Sequence, residues 1–139
     1  MFIGEYNYAV DDKGRLNFPA KFRDEMGAQF YVTRWLDECL IAFPQSEWQH
    51  VADSLAEKSM VKSRDIQRFL YAKAVEAVPD KQGRILLPAN LREQASLDKD
   101  VTIIGVGSHA EIWNTEAWRK KDAELCSGPI AEAMEALDF

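Results

Sequence analysis

The sequence predicts an α+β fold, a β-rich tandem repeat of two similar units that form one composite, barrel-like domain with helices. The main observation is an internal repeat: residues 11–23 read DDKGRLNFPAKFR and residues 80–92 read DKQGRILLPANLR. In addition, an alternating stretch precedes each copy, and two further β-rich segments and a helical segment follow it. Four short strands are too exposed to be stable alone, so we expect the two units to bury their faces against each other.

The repeat aligns chemically distinctive residues. A shift of 69 positions places Asp11 on Asp80, Gly14 on Gly83, Arg15 on Arg84, Pro19 on Pro88, Ala20 on Ala89 and Arg23 on Arg92. A shift of 70 places Phe43 on Trp113 and Trp48 on Trp118 further along the chain, where the similarity is weaker. The duplication therefore spans both halves of the sequence.

Each copy begins with a predicted pair of short strands joined by a tight turn, DDKG or DKQG. Gly14 and Gly83 lie where such a turn needs a positive φ, which other residues adopt reluctantly. Pro19 and Pro88 end the second strand and begin a short helical turn, because the first turn of a helix does not need the N–H that proline lacks.

A second hairpin and a helix complete each unit. The hairpins are predicted over 29–34 with 39–43 and over 101–106 with 110–113. We expect a first repeat over residues 1–58, a linking helix over 59–73, a second repeat over 74–127 and an acidic C-terminal helix or tail over 128–139.

Composition limits the class of protein. The 139 residues are 47% hydrophobic and 29% charged, which is ordinary for a globular domain and argues against disorder. No apolar run is long enough to span a membrane, the first residues do not resemble a signal peptide, and two cysteines do not make a disulfide framework. We therefore expect a cytoplasmic protein without a membrane partner.

Enzymatic chemistry is not indicated. The chain lacks phosphate-loop, zinc-protease and serine-hydrolase motifs, and its two histidines and two cysteines are too few for a dedicated zinc site. Cys39 and His109 occupy corresponding places in the two repeats, but a core thiol and a surface histidine explain them better than a nucleophile pair. We predict no catalytic residue, metal site, cofactor or small-molecule substrate.

Basic residues gather around the repeated D-x-x-x-R pattern, although the net charge is −6. Asp11 and Asp80 can accept hydrogen bonds from the turn and pair with the arginine at its end. A basic edge of this kind suits DNA, because arginine can bond guanine edges and lysine can contact phosphates. The candidate DNA-binding residues are Lys13, Arg15, Lys21, Arg23, Lys81 and Arg84, with Asp11, Gly14, Asp80 and Gly83 as structural residues of the motif. Copy one carries Lys13 and Lys21 where copy two has Gln82 and Asn90, so the first copy is expected to contact DNA more strongly.

The two motif copies, together with GVGSHAEIWNTEAW over 105–118, resemble the MraZ family from Met1 to about Glu124. The resemblance implies an AbrB-like swapped-hairpin fold and a sequence-specific DNA-binding transcriptional regulator, with repression favoured, of the bacterial division and cell wall gene cluster. It further implies association with the nucleoid and homo-oligomeric rings that bind direct repeats in the protein's own promoter. The family's DNA-contacting motif corresponds here to Asp11–Arg15, with a second copy at Asp80–Arg84.

The sequence is also compatible with a second class of protein. Paired hairpins could form a protein-interaction or assembly module that does not bind nucleic acid, with the basic residues solvated. The helices around Trp48 and Trp118 and the linking helix around Phe69 are candidates for contacts between subunits.

Overall fold

The computed structural model describes all of residues 1–139, which form eight strands and six helices. The strands are β1 (Glu5–Ala9), β2 (Arg15–Asn17), β3 (Phe30–Arg34), β4 (Leu40–Pro44), β5 (Val75–Ala77), β6 (Arg84–Leu86), β7 (Asp100–Gly105) and β8 (Ala110–Asn114). The helices are α1 (Ala20–Met26), α2 (Gln45–Ala56), α3 (Met60–Tyr71), α4 (Ala89–Gln94), α5 (Thr115–Leu125) and α6 (Pro129–Ala136). The mixed α+β prediction is confirmed.

The strands form two antiparallel sheets. The larger has six strands in the order β1-β7-β8-β4-β3-β5, and the smaller is a two-stranded ribbon of β2 and β6. The predicted second hairpins are present as β3 with β4 and β7 with β8. The first half of each unit behaves differently, because β1 pairs with β7 and β2 pairs with β6.

The predicted pairing of the strands on either side of each DDKG-type turn is therefore wrong. The turns themselves do close, as Asp11 N donates to Arg15 O at 2.9 Å and Asp80 N donates to Arg84 O at 2.8 Å. Beyond the turns the strands separate and pair with the other repeat. A shift of 69 residues converts the β1–β7 pair into the β5–β3 pair. The same shift exchanges the two strands of the β2–β6 pair, and a shift of 70 exchanges those of the β4–β8 pair.

Burial of apolar side chains explains why these strands pair with strands of the other repeat. Leu16 and Ile85 lie opposite each other in the ribbon and are fully or almost fully buried, as are Phe18 and Phe30 behind them. Burying each side chain of this size contributes about 1.5–3 kcal/mol relative to leaving it exposed. The ribbon thus covers one face of the six-stranded sheet, and an 18-residue core fills the space between them.

The helices differ in how they pack against the rest of the chain. Short helices α1 and α4 directly follow Pro19 and Pro88, which stand at their N-caps, as the sequence predicted to within one residue. Helix α3 packs against β3, where Thr33 Oγ1 donates to the carbonyl of Leu70 at 2.5 Å. Helix α6 has no buried residue. No helix combines the length and apolar character needed to cross a membrane.

Candidate nucleic-acid interface

The two D-x-x-x-R turns share one hydrogen-bond pattern. Oδ1 of Asp11 accepts from the backbone N–H groups of Lys13 and Arg15, each at 2.9 Å. Oδ1 of Asp80 accepts in the same way from Gln82 and Arg84, again at 2.9 Å. These bonds satisfy turn N–H groups and explain why an acid begins each turn.

The second carboxylate oxygen of each turn holds an arginine side chain. Nε of Arg15 donates to Oδ2 of Asp11 at 2.9 Å, and Nε of Arg84 donates to Oδ2 of Asp80 at 3.0 Å. The hydrogen bonds from the backbone and the guanidinium, led by the backbone N–H of the arginine, lower the pKa of both aspartates below the usual value. Both carboxylates are therefore charged near neutral pH, and the guanidinium groups are held in defined orientations.

The ribbon places both arginines on one face of the molecule. Its register opposes Arg15 to Leu86, Leu16 to Ile85 and Asn17 to Arg84. Because side chains alternate along a strand, the buried pair Leu16 and Ile85 forms the inner face. The outer face of the ribbon consists of Arg15, Asn17, Arg84 and Leu86.

The two arginines differ in their surroundings. Nη1 of Arg84 lies 3.9 Å from Oδ2 of Asp11, so Arg84 contacts the carboxylates of both turns. No second carboxylate lies within ion-pair distance of Arg15. The Arg15 side chain is 35% exposed and that of Arg84 25% exposed. Arg15 is thus the more available of the two for an external ligand.

The glycines of the turns allow the repeats to approach each other closely. Gly14 and Gly83 have φ angles of +81° and +78°, and a Cβ at Gly14 would lie 2.9 Å from the carbonyl oxygen of Leu87 in the other repeat. A Cβ at Gly83 would lie 2.6 Å from the guanidinium carbon of Arg23. Both glycines therefore serve the contact between repeats as well as the turn.

The predicted basic residues do not all join this face. Lys13 and Lys81 are exposed within the two turns, and Lys21 is exposed on α1, where it makes no hydrogen bond or ion pair within the chain. Arg23 lies under Gly83 and donates from Nε to the carbonyl of Phe18 at 3.0 Å. Its guanidinium therefore supports the fold.

Sequence reasoning missed three residues of this region. Arg92 mirrors Arg23, since its Nε donates to the carbonyl of Leu87 at 3.0 Å and its side chain lies against Gly14. The repeat had aligned Arg92 with Arg23, which was the available signal. Asn17 and Leu86 were also missed, although their position two residues after each arginine places them on the same face of a strand.

The cysteine and histidine at corresponding repeat positions do not form a nucleophile pair. Burial raises the pKa of the Cys39 thiol far above its usual value, and the thiol donates to the carbonyl of Leu36 at 3.2 Å. A reactive cysteine needs the opposite shift, toward thiolate. His109 instead packs against Phe43, and burial lowers its pKa. No cluster of three or more His, Cys, Asp or Glu side chains could hold a metal ion.

All three aromatic candidates for subunit contact make contacts within the chain. Trp48 stacks on Tyr31 with ring centroids 5.1 Å apart, and Trp118 packs on Trp113 at 5.5 Å. Phe69 on α3 lies under the Arg34 guanidinium, whose Cζ is 4.4 Å from the ring centroid. The linking helix also borders an apolar groove, which runs between α3 and the β3–β4 turn. We call this the α3 groove; it is lined by Trp35, Leu36, Asp65, Ile66, Phe69 and Leu70.

Comparison with known proteins matches the chain over both halves. The sequence model of the family described as "MraZ protein, putative antitoxin-like" matches residues 1–69 and again residues 70–138. A relative from Limosilactobacillus fermentum is 49% identical over 143 residues, covering 100% of both chains. One from Syntrophomonas wolfei is 48% identical over 138 residues, covering 96% of each chain.

A third relative, from Heliobacterium modesticaldum, is 43% identical over 141 residues, covering 100% of this chain and 99% of its own. All three are named "Transcriptional regulator MraZ", a class of protein that is generally not enzymatic. The duplicated turn, the pairing of equivalent strands and the two family matches agree, and the chain belongs to the MraZ family.

Proposed function

We propose that this protein is a transcriptional regulator that binds double-stranded DNA through the outer face of the ribbon and the two flanking turns. The observation that carries the proposal is the placement of Arg15 and Arg84 on that one face, each held by an aspartate of its own turn. A surface with pre-oriented guanidinium groups loses little side-chain entropy when it binds a ligand.

The shape of the ribbon supports contact in the major groove. The major groove of B-DNA admits a two-stranded β-ribbon, and arginine can form two hydrogen bonds with guanine O6 and N7. Nε of each arginine bonds its aspartate, so the terminal nitrogens of Arg15 remain available for such a contact, whereas Nη1 of Arg84 also lies 3.9 Å from Oδ2 of Asp11. We assign phosphate contacts to Lys13 and Lys81 at the turn tips, with Lys21 and Arg23 at the margin of the surface.

The negative net charge is consistent with this local surface. A protomer with charge −6 is repelled by DNA except where its basic face is presented, which limits nonspecific coating. One small ribbon then binds weakly, so we propose that several copies act together in a ring on direct repeats. Linking weak contacts in this way raises the effective concentration of each further contact.

The α3 groove is the surface that best fits such assembly. Leu36 and Ile66 on its rim are 62% and 51% exposed, and an apolar groove of this kind is typical of a protein–protein interface. The groove lies on the sheet face that carries α2 and α3, whereas the ribbon covers the other face. Assembly through this groove would therefore leave the basic face free.

The remaining details rest on the family resemblance. We propose an AbrB-like swapped-hairpin fold, repression at the protein's own promoter, control of the division and cell wall gene cluster, and a cytoplasmic location associated with the nucleoid. The exchange of strands between repeats supports the swapped-hairpin assignment.

Fluorescence anisotropy tests the proposal. The protein is titrated into a labelled duplex from upstream of its own gene and into a scrambled duplex of equal composition, at two salt concentrations. We expect tight binding to the native duplex only, with affinity falling steeply as salt rises, because each phosphate contact releases counterions. Absent or equally weak binding to both duplexes would contradict the proposal and favour the alternative of a protein-interaction module.

A further inference from the structure

We propose that Leu86 and Asn17 determine the direction in which the ribbon binds its DNA site, because they contact bases of different chemistry on its two sides. The inference rests on the proposed DNA-binding function and identifies the residues that set its specificity. Leu86 is assigned to the C5-methyl group of a thymine, and Asn17 to a hydrogen-bonding base edge.

The two residues occupy equivalent positions. Asn17 follows Arg15 by two residues and Leu86 follows Arg84 by two, and the 69-residue shift superposes them. In the antiparallel register, Leu86 lies opposite Arg15 and Asn17 lies opposite Arg84. The outer face therefore has two arginines at equivalent positions of the repeats, and a different residue lies opposite each of them on the other strand.

Leu86 is exposed, whereas the other apolar side chains of the ribbon are buried. Its relative exposure is 61%, against 0% for Leu16 and 1% for Ile85 on the inner face of the same ribbon. A leucine between two arginines contributes nothing to the core and adds no phosphate affinity. The thymine methyl is the apolar group that base pairs present in the major groove, so it is the matching partner for this side chain.

Asn17 has the opposite chemistry at the equivalent position. Its side-chain amide makes no hydrogen bond within the chain and is exposed on the outer face. An amide both donates and accepts, which matches the N6 and N7 edge of adenine. A ribbon with leucine beside one arginine and asparagine beside the other then distinguishes the two directions along the DNA.

The turns also differ between repeats, but at positions suited to another role. Lys13 corresponds to Gln82 and Asp12 to Lys81, and all four are exposed in the turns outside the paired strands. Residues beside the groove contact phosphates, which carry affinity and little sequence information. The direction in which the ribbon binds along the DNA is therefore assigned to Asn17 and Leu86.

The first test makes the outer face symmetric. The Asn17→Leu variant carries arginine and leucine at both equivalent pairs of positions, and because Asn17 is exposed the fold should tolerate the change. Wild type and Asn17→Leu each select sequences from a library of randomised duplexes. We expect wild type to enrich an oriented sequence and the variant to enrich a sequence that reads the same on both strands.

The second test removes the methyl group. Thymines of the selected duplex are replaced singly by uracil, and affinities are measured for wild type and Leu86→Ala. We expect one replacement to weaken wild-type binding about fourfold, the effect of exposing one methyl-sized group, and to leave the affinity of Leu86→Ala unchanged.

The outcomes separate this inference from the function on which it rests. If wild type enriches no sequence, the proposed function fails and the inference fails with it. If wild type enriches an oriented sequence and Asn17→Leu enriches the same one, DNA binding stands and the inference is wrong. The direction is then set by the turns or by the ion pair that Arg84, unlike Arg15, makes with Asp11. Equal uracil penalties in wild type and Leu86→Ala would likewise overturn the assignment of Leu86.

Discussion

The two D-x-x-x-R turns are nearly identical in geometry but differ in what lies next to them. Each aspartate accepts two backbone N–H groups and one guanidinium Nε, at distances of 2.9–3.0 Å. Arg84, however, also lies 3.9 Å from Asp11, whereas Arg15 pairs with its own turn alone. The duplicated motif thus preserves a local structure while leaving the first copy more open to a ligand and the second more involved in joining the repeats.

Exchange of arginine for alanine should separate these two roles most strongly. In Arg15→Ala we expect most DNA affinity to be lost, by about 1–3 kcal/mol for each subunit that loses a guanine contact, with the oligomer intact. In Arg84→Ala we expect a smaller loss of affinity and a larger loss of stability, because both Asp11 and Asp80 lose a partner. Anisotropy and thermal melting give the two readouts.

Arg119→Ala is the matched control for these variants. It removes the same charge from an exposed position on α5, a helix that packs against β7 and β8. An Arg15→Ala protein that binds the native duplex as tightly as this control would show that the first copy is not the DNA-contacting one. Unchanged melting with lost binding in Arg84→Ala would reverse the roles assigned to the two repeats.

Substitution of the two turn glycines should lower the stability of the protein by different amounts. Alanine at either position must adopt a positive φ, which costs about 1–2 kcal/mol. At Gly14 the new Cβ also meets the Leu87 carbonyl oxygen, which belongs to the backbone and cannot move aside, whereas at Gly83 it meets the guanidinium end of Arg23. We expect Gly14→Ala to lower the free energy of unfolding more than Gly83→Ala. Urea denaturation measures both, and equal losses would mean that the φ cost dominates.

Neutralising the aspartates should alter specificity more than affinity. Asp11→Asn keeps an oxygen for the backbone N–H groups but loses the charge that orients Arg15 and lies near Arg84. We expect weaker discrimination between native and scrambled duplexes together with tighter binding to the scrambled one, because a charge that repels phosphate is removed. Asp80→Asn should act in the same direction but more weakly, since Asp80 pairs with one arginine. Equal effects of the two changes would argue against the shared role of Asp11.

The smallest expected effect is a decrease in stability at acidic pH. The pKa values of Asp11 and Asp80 are lowered by the backbone and guanidinium hydrogen bonds, from an ordinary value of 3.8. Their contribution to stability is complete above about pH 4 and is lost as the pH falls through the lowered pKa values. Unfolding measured between pH 5 and about pH 2 should show a shallower acid loss in Asp11→Asn than in wild type. Superimposable profiles would contradict this linkage.

The sequence predicted the repeat, the turns and the second hairpins because these are local features. Gly14 and Gly83 indicated turns, and their φ angles are positive. The partners of β1 and β2 could not be predicted from local pattern, since an alternating strand can pair with a neighbour in the same repeat or with a strand of the other repeat. Burial of Leu16 against Ile85 decides between them, and burial depends on the whole fold.

The candidate site was predictable where charge and motif coincide. Arg15 and Arg84 followed from the repeated motif, and the ribbon register brings them to one face. The structural role of Arg23 was not evident, because its contact with Gly83 joins residues 60 positions apart in the chain. Asn17 and Leu86 gain their importance from the face they share with the arginines, which requires knowing that β2 and β6 pair.

Site-specific cross-linking can show whether the outer face of the ribbon contacts DNA. In a Cys126→Ser background, which removes the exposed cysteine and leaves Cys39 buried, a single cysteine is placed at Asn17 or, as the control, at exposed Ser46 on α2. Each protein is mixed with native upstream duplex that carries a thiol-reactive group in the major groove. We expect cross-linking of the Asn17→Cys protein and none of Ser46→Cys. Equal cross-linking of both, or cross-linking of Ser46→Cys alone, would show that the outer face of the ribbon is not the DNA-contacting surface.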